Sequence, residues 1–209
     1  VLATLSPDVE HDIVGWPSGP THGRESARPF YETLFADLRG QFTRAALVVD
    51  GGAIVRDVAL RNIRGWAIEA RMGEAGLIEN ITISDSRGGV LIRGAGTIRG
   101  NTLTNITGTA FDTSSNALRS PTALIENNAV AGAHIGLISG EGAIQFRNNR
   151  ISGVTTTCVA FLGSTTATVA RNRFSGCGTA GYTPFVIRSP AAGTIEDNIV
   201  LASGQNFTR

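Results

Sequence analysis

The sequence predicts an all-β fold: a single-stranded right-handed parallel β-helix of about seven coils, with an α-helical cap at its N-terminal end. Three observations predict this fold. An apolar frame with asparagine at its centre recurs along the chain at intervals of 23, 20, 27, 21, 23 and 26 residues. A second short apolar element follows copies of this frame. Glycine is abundant at 26 residues and aromatic residues make up only 6%, which suits short strands and tight turns better than a bulky helical core.

The repeat is clearest at its central position, which we call the slot. Five copies carry asparagine in the slot, as in the segment Ile98-Arg-Gly-Asn101-Thr-Leu103, and the two earliest copies keep the frame without it. The slot residues are Val58, Ile81, Asn101, Asn128, Asn149, Asn172 and Asn198. Seven copies in one frame predict a solenoid in which equivalent residues stack from coil to coil. The segments between copies are too short for crossover helices, which rules against a βαβ sheet.

Stacking turns each frame position into a row with its own role. The slot asparagines are expected to form a ladder of side-chain hydrogen bonds at one turn. The row two residues after the slot is apolar and is expected to fill the interior: Leu60, Ile83, Leu103, Val130, Ile151, Phe174 and Val200. The row two residues before the slot reads Arg56, Glu79, Arg99, Glu126, Arg147, Ala170 and Glu196. Because its charges alternate, we interpret this row as a stabilising ladder of ion pairs and not as a catalytic site.

Residues 1–46 do not fit the repeat and are predicted to form an N-terminal wrap, with the solenoid at 47–209. Within the wrap, residues 29–39 place Phe30, Leu34 and Leu38 on one helical face. This spacing, with proline at the start and glycine after the end, predicts an amphipathic helix that covers the first coil.

Charge and cysteine content exclude several classes of protein. The net charge of +1 gives no electrostatic case for binding nucleic acid or a membrane surface, and no apolar run approaches the ~20 residues of a membrane span. All 18 basic residues are arginine, which excludes a lysine Schiff base. Cys158 and Cys177 fall at different points of the coil, so we expect free, packed thiols. The compartment stays open: secreted if a signal peptide has been removed, and otherwise cytoplasmic.

Through its Ile-x-x-Asn-x-Ile frame, the chain resembles the pectate-lyase-like, right-handed β-helix superfamily over most of its length after the wrap. The resemblance implies the fold and, by analogy, an enzyme that acts on carbohydrate. Hydrolases of the superfamily group several aspartates on one face, and its calcium-dependent lyases gather acidic residues. The sequence shows no such cluster, so we expect neither a metal nor another cofactor.

The candidate chemistry lies in another row, after the second apolar element of successive coils. Glu69, Arg93 and Asp112 lie there, and we predict that they are catalytic together with His134, the only histidine of the solenoid. The predicted substrate-binding residues are Arg71, Arg119, Arg188, Tyr182 and Trp66. Their arginines favour an anionic ligand such as a uronate. The alternative is that the charged row is a second ion-pair ladder and that the histidine belongs to a turn.

Three functions remain open from the sequence. The first is a metal-independent lyase or isomerase that acts on an anionic carbohydrate or small carboxylate, with Asp112 or His134 moving the proton. The second is a cyclase or isomerase that acts on a small biosynthetic intermediate such as a polyketide. Its pocket would be lined by Trp16, Phe30, Tyr31 or Trp66. The third is a non-catalytic binding or structural module. The expected partners are a small molecule or oligosaccharide, and a second copy held through the sides or the C-terminal end of the solenoid.

Overall fold

The structure is a computed structural model that describes residues 10–11, 21–22, 45–113, 122–140, 142–162, 165–180, 185–187 and 192–201. Its strands are, in chain order, β1 (Glu10–His11), β2 (Thr21–His22), β3 (Ala45–Gly51), β4 (Ile54–Arg56), β5 (Ala59–Arg61), β6 (Trp66–Met72), β7 (Leu77–Glu79), β8 (Thr82–Ser86), β9 (Gly88–Ile92), β10 (Gly96–Arg99), β11 (Thr102–Asp112), β12 (Thr122–Glu126), β13 (Ala129–Ser139), β14 (Gly142–Arg147), β15 (Arg150–Phe161), β16 (Thr165–Ala170), β17 (Arg173–Cys177), β18 (Phe185–Ile187), β19 (Ala192–Glu196) and β20 (Ile199–Leu201).

The chain divides into two units, Val1–Thr43 and Arg44–Arg209. In the first unit, β1 and β2 pair antiparallel. The capping helix predicted at 29–39 lies outside the described residues, so it stays a prediction.

The second unit is a parallel β-solenoid with three faces. Face A is a sheet of seven strands, one from each copy of the frame, in the spatial order β19-β16-β14-β12-β10-β7-β4. Face B consists of the strand segments that follow the slot, and face C of those formed by the second apolar element. Faces B and C belong to one sheet because β11, β13 and β15 run across the corner between them. The predicted β-helix is confirmed, with its seven copies separated by six turns.

Side chains from all three faces fill the interior. Phe111, Phe146 and Phe174 are among the largest fully buried side chains, and burying each such side chain contributes about 1.5–3 kcal/mol. The predicted interior row is confirmed, because its central members are buried and its end members, Leu60 and Val200, pack partly buried against the core.

The asparagine ladder is also confirmed. The side-chain amide of Asn128 donates to Asn149 Oδ1 at 3.0 Å and to the Ile98 carbonyl at 3.0 Å. Its own Oδ1 accepts the backbone N–H and the Nδ2 of Asn101, each at 2.9 Å. The same pattern continues through Asn172 in the following coils. These buried amides are therefore bonded at both their nitrogen and their oxygen, as buried polar groups require.

Two turns of each coil need left-handed backbone. The residue before the slot has a positive φ in all seven coils: Asp57, Asn80, Gly100, Asn127, Asn148, Arg171 and Asp197. The residue four places after the slot also has a positive φ in the first six coils: Asn62, Asp85, Asn105, Gly132, Gly153 and Gly176. Glycine, asparagine and aspartate tolerate this conformation better than other residues do, which explains their periodic appearance in the sequence. Arg171 is the exception.

The charge ladder before the slot forms on face A. Arg99 Nε lies 2.8 Å from Glu79 Oε1, and Arg147 Nε lies 3.0 Å from Glu126 Oε2. These two pairs confirm the structural interpretation for the four central members of the row.

The prediction of free thiols is wrong, because Cys158 and Cys177 form a disulfide with their Cα atoms 5.5 Å apart. Both residues are fully buried. Cys177 pairs in register with Val154 on face B, whereas Cys158 lies four residues further along the same strand, on face C. The two cysteines do occupy different points of the coil, as expected. They meet because the chain bends between these points and brings their side chains together inside the corner.

Candidate functional site

An open groove of about 400 Å³ runs along the outer corner between faces B and C. It is lined by Asn105, Ile106, Thr107, Gly132, Ala133, His134, Gly153 and Thr155. Three successive strands, β11, β13 and β15, supply these residues from equivalent positions. The residue with positive φ is glycine in β13 and β15, at Gly132 and Gly153. At this position, therefore, these two strands place no side chain in the groove.

His134 lies exposed in this groove. Its Nδ1 is 3.1 Å from Thr155 Oγ1 on the next strand, and the Thr156 hydroxyl donates a hydrogen bond to the His134 carbonyl. The first contact orients the ring and the second fixes the backbone that carries it. Because imidazole is a common acid–base group in enzymes, His134 is the part of the groove best suited to proton transfer.

Asp85 lies beside the groove and fixes its Asn105 side. Asn105 Nδ2 donates to Asp85 Oδ1 at 3.0 Å, and Arg61 Nε lies 3.8 Å from Asp85 Oδ2. The hydrogen bond from Asn105 is the main cause that lowers the pKa of Asp85, and the Ser84 hydroxyl and the Arg61 charge act in the same direction. The ionised carboxylate therefore holds the Asn105 amide in place.

Glu69, Arg71 and Arg93 form a separate cluster on face C. Arg71 Nη2 lies 2.9 Å and Arg93 Nε lies 2.8 Å from Glu69 Oε1. The Glu69 side chain is only 4% exposed, whereas those of Arg71 and Arg93 are 50% and 36% exposed. This is the contact expected of an ion-pair ladder. It engages the carboxylate for which the sequence suggested a catalytic role.

Asp112 lies on β11, the strand that pairs with β9 on face C. In the sheet register, Leu91 separates Asp112 from Glu69, and Arg93 comes two residues after Leu91. The sequence interpretation placed Glu69, Arg93 and Asp112 in one row. The structure corrects this, because an aliphatic residue of β9 takes the middle position and displaces the arginine along the strand.

Asp112 and His134 also lie on different faces. The register neighbour of Asp112 on β13 is Ile138, four residues after His134 and beyond the corner of the strand. Asp112 does not line the groove that contains His134. The pair therefore has no common site for one reacting atom.

The remaining predicted residues lie elsewhere. Trp66 packs on the backbone of Gly88, where an added Cβ would stand 2.6 Å from its ring, and it is not part of the groove. Arg119, Tyr182 and Arg188 lie outside the described residues. So do Trp16, Phe30 and Tyr31, which the cyclase hypothesis requires.

A basic pair on face B was missed by the sequence analysis. Arg150 and Arg173 are register neighbours on β15 and β17, and both are exposed. In the part of the chain that the structure describes, neither makes an ion pair. Like charges directly opposed across a ladder are destabilising, so this pair does not stabilise the fold in the way that the ion pairs of face A do. The signal was present in the sequence, because both residues directly follow a slot.

Across the described ranges, no group of three or more histidine, cysteine, aspartate or glutamate side chains is arranged to hold a metal ion. No helix within those ranges has the length and apolar character needed to cross a membrane.

Comparison with known proteins places the chain in a family. Neither curated proteins nor solved structures give a match. A family model described as "Right handed beta helix region" matches residues 88–206, which is more than half of the chain. This segment begins at β9 and contains the groove and the asparagine ladder. The chain therefore belongs to the right-handed β-helix family.

Proposed function

We propose that this β-helix binds an anionic oligosaccharide along face B, in the groove around His134. The observation that carries the proposal is the lining of that groove. Asn105, Thr107, His134 and Thr155 contribute an amide, two hydroxyls and an imidazole from three stacked strands to a groove whose exposed lining is otherwise mainly apolar. Such groups can donate and accept hydrogen bonds, as sugar hydroxyls also do. Successive strands repeat them every ~4.8 Å, which suits an extended chain of sugars.

The basic pair supports a negative charge on the ligand. Arg150 lies on the same strand as Thr155, five residues before it, and is stacked next to Arg173. Guanidinium groups bind carboxylates through two parallel hydrogen bonds and stay charged at every physiological pH. Because five strand residues span ~16 Å, we expect the pair to bind a carboxylate further along the oligosaccharide than the sugar that contacts His134.

A lyase or isomerase acting on the same ligand is the second candidate, and the contact between His134 and Thr155 favours it. In the tautomer whose Nδ1–H donates to Thr155 Oγ1, the unprotonated Nε2 is the base. It would take the proton next to a carboxylate; in a lyase the C–H electron pair then forms the new C=C bond as the adjacent glycosidic C–O bond breaks and the departing oxygen takes up a proton, whereas in an isomerase a proton returns to the same carbon from the opposite face. Glu69 and Asp112 have no part in this mechanism, because they lie on face C.

The test is calorimetric titration with three ligands of equal length: a uronate oligosaccharide, its methyl ester and a neutral oligosaccharide. We expect the uronate to bind most tightly. His134→Ala should weaken all binding about tenfold, whereas the R150A/R173A double variant should remove the preference for uronate over its ester. Arg64→Ala is the matched control, an exposed arginine of the first coil outside the groove.

Two outcomes would overturn the proposal: no binding of any of the three ligands, or unchanged binding in both groove variants. Ultraviolet absorbance detects an unsaturated uronate product. Its formation distinguishes a lyase from a binding module. A rate that disappears in His134→Ala while uronate still binds would support the lyase. Binding without product would restrict the function to recognition.

A further inference from the structure

We infer that the basic pair of face B belongs to a larger site that binds a tetrahedral oxyanion, a sulfate or phosphate ester carried by the sugar chain. The inference rests on the proposed function, because it names the group that the oligosaccharide presents to this pair. The third member of the site is Arg171. Strand β16 of face A ends at Ala170 and strand β17 of face B begins at Arg173. We therefore call Arg150, Arg171 and Arg173 the arginine corner.

The three arginines lie close together on the outer surface. Arg150 and Arg173 are register neighbours, so their Cα atoms are about 4.8 Å apart. Arg171 and Arg173 lie on either side of the slot residue Asn172, and two residues of chain span at most about 7 Å. The Asn172 side chain is buried in the ladder, whereas all three arginines are exposed. Their guanidinium groups can therefore converge on one ligand group.

The backbone of Arg171 is in a conformation that does not favour arginine. Its φ of 55° is left-handed, and the other six coils have aspartate, asparagine or glycine at this point. Those residues adopt the conformation at a lower cost than arginine does. Residues held in such conformations are concentrated at binding and catalytic sites. The backbone therefore indicates that the Arg171 side chain has a role besides folding.

The arginine corner makes no ion pair with any carboxylate that the structure describes. The neighbouring coil does supply acidic residues, because Glu196 is the register neighbour of Ala170 and Asp197 follows it. Neither of them pairs with an arginine of the corner. Arg147 is different, because its Nε lies 3.0 Å from Glu126 Oε2. Three guanidinium charges thus lie together at the surface and can bind an anion without first breaking an ion pair.

The number of guanidinium groups indicates the class of anion. A carboxylate has two oxygens, and a single arginine can bind both through parallel hydrogen bonds. A phosphate ester has three terminal oxygens that accept strong hydrogen bonds, and arginine clusters bind such groups. A sulfate ester has the same tetrahedral shape and the same number of terminal oxygens. A third arginine beside the pair therefore favours a tetrahedral oxyanion over a carboxylate alone.

Calorimetric titration of the full chain with three oligosaccharides of equal length tests the inference: a uronate oligosaccharide, its O-sulfated form and its O-phosphorylated form. We expect at least one ester to bind the wild type at least tenfold more tightly than the unmodified uronate, and the comparison of the two esters identifies the group. Arg171→Asn should remove this advantage and change the affinity for the unmodified uronate less than twofold.

Two features of the variants make the comparison specific. Arg171→Asn introduces the residue that three other coils have at this position, so the variant should fold, and a melting curve followed by circular dichroism verifies this. Arg64→Asn is the matched control, because it removes one positive charge from an exposed residue of the first coil. It should retain the full preference for the ester.

The outcomes separate this inference from the proposed function. Equal affinity of the wild type for all three oligosaccharides would overturn the inference and leave the proposed function standing. An ester preference that survives Arg171→Asn would do the same. So would a preference that Arg64→Asn lowers to the same extent, since the net charge would then account for it. If none of the three oligosaccharides binds, both the proposed function and the inference are wrong. A preference lost in Arg171→Asn alone supports the arginine corner.

Discussion

The side-chain amide of Asn149 donates to Asn172 Oδ1 at 3.0 Å and to the Ile125 carbonyl at 2.9 Å, and so joins three successive coils. The contact explains how the coil length can vary without loss of the fold. Each slot fixes the register of the strands on both sides of it, and extra residues are accommodated elsewhere in the coil.

The ladder is expected to make a large contribution to stability at its centre and a smaller one at its end. Asn149→Ala removes a buried amide and leaves its partners unsatisfied, so the free energy of unfolding should fall by about 2–4 kcal/mol. Asn198→Ala, at the half-buried end of the ladder, should lower it by about 1 kcal/mol. Urea denaturation measures both. If the two variants lost the same unfolding free energy, this would contradict the prediction that the buried centre of the ladder contributes more stability than its end.

Replacing Arg171 is expected to stabilise the chain. Its φ of 55° is left-handed, which costs a residue with a side chain about 1–2 kcal/mol, whereas glycine adopts it freely at a smaller entropic cost. Arg171→Gly should therefore raise the free energy of unfolding by about 0.5–1 kcal/mol. The matched variant is Thr102→Gly, an exposed position of strand β11, which should lower it. A destabilised Arg171→Gly would show that the left-handed turn is not strained.

The disulfide between Cys158 and Cys177 closes a segment with a sequence separation of 19. The C158A/C177A double variant should lose about 3 kcal/mol of unfolding free energy, because the unfolded chain regains the entropy of that loop. Guanidinium denaturation of both proteins gives the comparison. Counting thiols in the unreduced, unfolded wild type is the control, and two reactive thiols there would contradict the disulfide.

Asp85 gives a prediction for pH dependence. Its folded pKa lies below the usual value of 3.8, so the carboxylate stabilises the fold above that value and loses this effect as the pH falls through the folded pKa. Asn105→Ala should raise the pKa of Asp85 more than Arg61→Gln does, because the hydrogen bond outweighs the charge. Carbon-detected NMR titration measures both shifts. The reverse order would show that charge dominates.

Glu69 is expected to act in stability and not in catalysis. Glu69→Gln leaves Arg71 and Arg93 without their carboxylate, and because both remain partly exposed to water, the loss should be moderate, about 1–3 kcal/mol. Glu79→Gln removes the partner of Arg99. Because Glu79 is more exposed than Glu69, the loss of unfolding free energy should be smaller, below about 1 kcal/mol. Oligosaccharide binding should be unchanged in both. Loss of oligosaccharide binding in a folded Glu69→Gln protein would indicate that face C is part of the binding site.

The sequence predicted the fold well because stacking imposes the same side chain at the same position of every coil. The slot asparagines and the interior row therefore repeat visibly along the chain. The disulfide was missed because Cys158 and Cys177 meet only through the bend at the corner, which no repeat position reveals.

The candidate site was predicted less well, and for a physical reason. Glu69 and Arg93 were placed in a row from the ends of apolar elements, but strand pairing sets the register, and it places Leu91 beside Glu69. His134 was identified as a candidate and does line a groove. Arg150 and Arg173 were overlooked because candidates were sought after the second apolar element, whereas these two residues directly follow the slot.

NMR chemical-shift mapping during titration with a uronate oligosaccharide tests the central claim of a binding groove on face B most directly. We predict that the backbone signals of Asn105, Thr107 and Thr155 and the imidazole signals of His134 shift together with the guanidinium signals of Arg150. Shifts confined to face C around Glu69, or no shifts at saturating ligand, would contradict the account.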